Sequence, residues 1–141
     1  MKPMKYNPDE VLDSIHGCIR WFNENNESTN ISSVSEKLDE FNVLLARFNE
    51  LCMDAFEVEA TLEDEYKSFY AKRVQELVNS GASVNKAENQ VVVELIEKKK
   101  EWTSAIVTFK KFKSRLERFD KIIDGKRQRI SVAKMTEMKN L

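Results

Sequence analysis

Proline and glycine are almost missing from this chain, with two of the first and three of the second in 141 residues. A sheet protein needs more turn-formers than that, so the composition excludes most β architectures and favours long helices. Cysteine is as scarce. Cys18 and Cys52 are too few for a disulfide framework and show no C-x-x-C spacing, which points to a reducing cytoplasm. No stretch approaches the roughly eighteen consecutive apolar residues of a membrane-spanning helix, and MKPMKYNPDE lacks the apolar core of a signal peptide. The expectation is a soluble protein with no membrane partner.

The single histidine, His16, leaves little for chemistry. A Cys–His nucleophile pair needs its base within reach of the thiol, and positions 16 and 18 point to different faces of a helix. One histidine and two scattered cysteines make no metal-ligand set. Glu63-Asp64-Glu65 could hold a cation, although acidic runs on helices are ordinarily solvated faces. There is no glycine-rich phosphate loop. The residues therefore predict no catalytic site, no bound metal and no cofactor.

What the chain does contain is charge, 33% of its residues, laid over a long apolar period. Asn7-Pro8-Asp9-Glu10 has an N-cap, a proline at the first helical position and acids in the first turn, and predicts a helix over 8–24. The polar stretch NENNESTN should end it. Ser33-x-x-Glu36 matches a capping box and predicts a long helix over 33–79. Its apolar residues Val34, Leu38, Phe41, Leu45, Phe48, Cys52 and Ala55 alternate by four and three, a heptad seam.

Asn79-Ser80-Gly81-Ala82-Ser83 supplies a stop, with Gly81 available for a left-handed turn. The next helix, over 83–124, carries Trp102, Ala105, Phe109, Phe112, Leu116, Phe119 and Ile123 at the same spacing. Asp124-Gly125 should kink or end it before a short helix over 126–138. The expected fold is all-α: one domain, 1–141, built on a long antiparallel helical hairpin with coiled-coil-like packing and a short helix at each end. Apolar residues beside the seam, such as Leu44, Leu51, Val92 and Ile106, widen the stripe beyond what two helices cover. A homo-oligomer is expected for that reason.

The charge is unevenly placed. Residues 1–97 carry 9 basic and 19 acidic side chains, and residues 98–141 carry 14 basic and 5 acidic. Lys110, Lys113 and Lys121 share one flank of the last long helix with Glu117, while Lys111, Arg115 and Arg118 share the other. Lys126, Arg127 and Arg129 follow beyond Gly125. Lysines and arginines on helical rails can track phosphates. Tyr66, Tyr70 and Trp102 could add base stacking, although Trp102 occupies a seam position suited to core packing. The plainer alternative is a solvated face whose lysines pair with acids such as Glu57 to Glu65.

One family shares this layout. Lys72 and Arg73 stand ahead of Ser80-Gly81, then comes VELIEKKKEWTSAIVTFKKFKSRLERFDKI, then Gly125 followed by KRQRISVAKM. Over roughly residues 60–141 this resembles the UvsY recombination mediators of large tailed phages. The resemblance implies an oligomer that binds single-stranded DNA and loads a RecA-like recombinase onto strands coated by a single-strand-binding protein. It also implies DNA contact by Lys72 and Arg73, and assembly through the final helix. The rival expectation is a non-enzymatic phage-type adaptor or inhibitor that acts through protein contacts alone.

Overall fold

The computed structural model describes residues 5–25 and 30–139, all of it helices and their connections. The order is α1 (Pro8–Glu24), α2 (Ile31–Asn79), α3 (Val84–Glu94) and α4 (Ile96–Lys139). The expected all-α hairpin is present: α2 and α4 pack antiparallel. Positions 26–29 of the Asn-rich stretch lie outside the described residues. The chain divides into two compact units, one of Met1–Met53 with Phe112–Leu141, the other of Asp54–Lys111.

The first unit is a three-helix bundle. Asn7 caps α1 as its sequence predicts, its side chain accepting from the Asp9 and Glu10 N–H groups. Val11, Ile15, Cys18 and Phe22 are the buried face of α1. Phe22 meets Phe41 of α2 edge-on at 6.3 Å, and His16 meets Phe119 of α4 at 6.0 Å. Phe48, fully buried, lies 5.6 Å from both Phe112 and Phe119. Burying one such ring is worth about 1.5–3 kcal/mol, so this aromatic cluster fixes α2 against α4.

The second unit is a helical hairpin with much less inside it. Its buried apolar side chains are Ala55, Ala87 and Val91. Phe56 packs on Phe109 at 5.3 Å and Tyr66 on Trp102 at 5.4 Å, which sets the antiparallel register. The turn is a Schellman motif. Ala82 N–H donates to the Leu77 carbonyl and Gly81 N–H to that of Val78, with Gly81 at φ 104°. Ser83 then caps α3 by accepting from the Lys86 N–H.

Three helix boundaries differ from expectation, each for a physical reason. α2 starts at Ile31 rather than Ser33, because the Asn30 side chain accepts from the Ser33 N–H and pre-empts the capping box. The helix expected over 83–124 is interrupted at Leu95, two positions past the β-branched run Val91–Val93 that helices disfavour. The Leu95 N–H still reaches the Val91 carbonyl and the Lys99 N–H the Leu95 carbonyl, so the interruption is confined to one residue. Most consequentially, α4 runs straight through Gly125, and the separate helix over 126–138 is part of it. Glycine costs about 1 kcal/mol in a helix interior. Burial of Ile123 and Ile130 on either side offsets that penalty.

The two glycines should therefore respond oppositely to alanine. At Gly125 the backbone is helical and an added Cβ meets nothing within 4 Å, so Gly125→Ala should raise stability by about 1 kcal/mol. At Gly81 the positive φ strains any side chain, and Gly81→Ala should cost about 1–2 kcal/mol. Urea denaturation of the two variants beside the parent chain reads both signs.

Candidate nucleic-acid interface

The continuity of α4 through Gly125 joins two basic segments that the sequence reading separates. Arg115, Arg118, Ile122, Lys126 and Arg129 follow one another at helical steps of three and four. They form one row beside the buried line of Phe112, Phe119, Ile123 and Ile130. No acid stands in that row. Glu117, Asp120 and Asp124 all fall on the other flank, among Lys113, Lys121 and Arg127.

The row is anchored at its far end by α1. Lys126 Nζ lies 5.5 Å above the Phe22 ring, a cation–π contact. Arg129 donates to the Asn25 carbonyl at 3.0 Å, at the end of α1 where unpaired carbonyls concentrate negative potential. Arg127 leans the other way, donating to Asp124 at 2.9 Å and to Asn42 of α2 at 2.6 Å. Arg115 is half-buried, whereas Lys113, Arg118 and Lys121 are exposed. Lys110 and Lys111 are exposed at the end of the second unit's α4 segment. Among the described residues, none of these six enters an ion pair.

The turn-proximal pair is arranged differently. Lys72 is exposed, but three N–H groups of the Arg73 guanidinium are engaged by carboxylates. Its Nε and Nη2 donate to the two Glu94 carboxylate oxygens at 2.8 and 3.2 Å, and its Nη1 to Glu76 at 3.2 Å. Gln90 donates to the same Glu94 at 3.0 Å. This fork ties α2 to α3 next to the Leu95 interruption, and Glu94 competes with any phosphate for Arg73. Nothing in the local sequence marks Glu94, twenty-one residues away, as the partner.

The candidate stacking residues form a cluster in the second unit. Tyr66 and Tyr70 are near-parallel at 6.2 Å, and Trp102 Nε1 donates to Glu59 at 3.0 Å. Lys99 Nζ sits 4.0 Å from the centre of the Trp102 ring and 5.0 Å from that of Tyr66. Trp102 is half-buried rather than core, with one face already covered by a cation.

The remaining reactive groups are buried or isolated. Cys18 and Cys52 are free and buried. Burial first, then the Glu40 carboxylate, pushes the Cys18 thiol up to about 11, and burial also raises that of Cys52 despite nearby Lys113. Both are protonated thiols at neutral pH and poor nucleophiles. Among the described residues, no group of three His, Cys, Asp or Glu could hold a metal ion, and no helix is long and apolar enough to cross a membrane. In comparisons with known proteins, no family model, curated protein or solved structure matches the chain.

The Glu94 cluster generates a pH prediction. Hydrogen bonds from Arg73 and then Gln90 hold the Glu94 carboxyl below its ordinary value of 4.5. A depressed folded-state value stabilises the fold above the unfolded value and loses that contribution as pH falls through the folded one. Amide protection across residues 90–95, taken relative to the intrinsic exchange rate at each pH, should therefore fall as pH drops below 4.5. In Arg73→Ala that protection should already be lower at neutral pH and change less on acidification. Lys72→Ala should behave like the parent chain.

Proposed function

We propose that this protein binds single-stranded DNA along α4 and serves as a recombination accessory factor of mediator type. The acid-free row of Arg115, Arg118, Lys126 and Arg129 carries the reading. An ordinary solvated helix face mixes its signs, as the opposite flank of α4 does with Glu117, Asp120 and Asp124. A row of one sign, whose exposed member Arg118 enters no ion pair among the described residues, is suited to phosphates. It carries no means of reading base edges, so binding is sequence-independent.

The mediator role, loading a RecA-like recombinase onto strands held by a single-strand-binding protein, rests on the layout shared with the UvsY family. The rival reading, a helical adaptor working through protein contacts alone, draws on the exposed apolar surface of the second unit. Salt dependence separates the two. Each phosphate neutralised on a single strand contributes about −0.7 to the slope of log affinity against log salt. Oligo(dT) binding measured by anisotropy across a salt series should show a steep slope. Arg115→Glu with Arg118→Glu should weaken binding to all sequences alike and flatten that slope. Absence of binding at low salt would refute the DNA reading and leave the adaptor.

A further inference from the structure

The second unit holds an apolar surface that the DNA-binding reading does not use. A two-helix pair buries one heptad seam, yet each arm of this hairpin carries a second row at heptad spacing. On α2 the row is Phe56, Ala60, Glu63, Lys67, Tyr70 and Val74, and on the other arm it is Val92, Leu95, Lys99, Trp102 and Ile106. The steps alternate between three and four in both rows, the periodicity of a helix face turned toward a further helix. These rows are only half covered. Phe56 is 52% exposed and Val92 50%, while Val74, Leu95, Trp102 and Ile106 are half-buried.

Polar groups on this surface are already satisfied internally. Glu63 pairs with Lys67 at 2.6 Å, Trp102 Nε1 with Glu59, and Lys99 lies over rings. Among the described residues, no buried side-chain nitrogen or oxygen lacks a partner. The surface thus offers apolar area and no orphan polar group awaiting a small ligand.

Charge selects the occupant. The α2 arm, residues 54–79, carries seven acids and three bases, a net of −4. The α3–α4 arm, residues 84–111, carries four acids and six bases, a net of +2. A second copy of this hairpin matches both features, presenting a mainly apolar row on each arm and the opposite sign on the facing arm. Only one arrangement exploits the signs. With the two turns at the same end, each α2 lies along the partner's α3–α4. With the turns at opposite ends of an all-antiparallel bundle, α2 faces α2, acid against acid.

We infer that the second unit is a self-association module, in which two copies of the hairpin pair as a four-helix bundle with their Gly81 turns at the same end. The proposal is independent of DNA binding.

Sedimentation equilibrium of the full chain at micromolar concentration tests it. The expected result is a dimer or a multiple of one. Phe56→Glu and Ile106→Glu should each give a monomer, and Ile106→Glu should do so with unchanged helicity by circular dichroism, since Ile106 belongs neither to the buried core nor to the Phe56–Phe109 contact. Val92→Lys provides a third route should either glutamate disturb the hairpin. Ala82→Cys, in the turn, should form an intersubunit disulfide under mild oxidation in otherwise unaltered protein.

A monomeric parent chain overturns the proposal, as does a dimer that survives all three charge substitutions. A dimer whose Ala82→Cys form does not cross-link overturns the same-end arrangement. If the parent chain is monomeric and oligo(dT) quenches Trp102 fluorescence in a Trp21→Phe background, the surface belongs to bases, and the self-association proposal falls while the DNA reading stands.

Discussion

Phe48 is the contact on which the first unit depends. Its ring lies 5.6 Å from two α4 aromatics, Phe112 and Phe119, which are seven residues apart. A single knob between two rings one heptad apart fixes both the height and the rotation of α4 against α2. Every other position on α4 follows from that choice. Ile123 and Ile130 turn inward, Phe22 of α1 covers Phe41, and the Arg115 row comes to the border of the buried face. A helix rotated by one residue, about 100°, would carry that row into the core, where unpaired charge costs several kcal/mol.

The same reasoning explains what was legible in the sequence. Features that depend on one residue's own chemistry read directly: Asn7 as a cap, Gly81 as the residue for a positive φ, the heptad seam as a helix pair. Features that depend on competition between neighbours did not. Ser33 is a good cap, but Asn30 stands three residues earlier and takes its N–H. Gly125 is a poor helix residue, but Ile123 and Ile130 bind the helix down across it. The seven-residue spacing of those isoleucines was the available signal that the period continued past the glycine. Of the basic residues, Arg118, Lys113 and Lys121 are as exposed as the periodicity suggests, while Arg73, Lys126, Arg127 and Arg129 have contacts set by tertiary structure.

The pairing of those contacts bears on the plain alternative, that the basic and acidic parts of the chain simply neutralise one another. At the level of net charge the first unit does come close to balance, with 14 basic and 13 acidic side chains. The ion pairs are a different matter. Among the described residues, Lys37–Glu40, Lys67–Glu63, Arg73–Glu76, Lys100–Glu97 and Arg127–Asp124 are all local, three or four residues apart on one helix. Arg73–Glu94 joins two helices, and Lys5, ahead of α1, reaches Glu50 of α2. Balance in count is therefore not balance in contact.

That distinction sets how the Arg115 row can act. Charges farther apart than a Debye length, about 8 Å at physiological salt, are largely screened, so a nearly neutral unit exerts little pull on a distant polyanion. Within contact range the sum no longer matters. A phosphate beside Arg118 meets the charges of that flank, and the nearby acids Glu117, Asp120 and Asp124 are held on the opposite one. Affinity then comes from contacts made after encounter rather than from long-range steering. Charge reversal in the row should accordingly act more on the rate of release than on the rate of association.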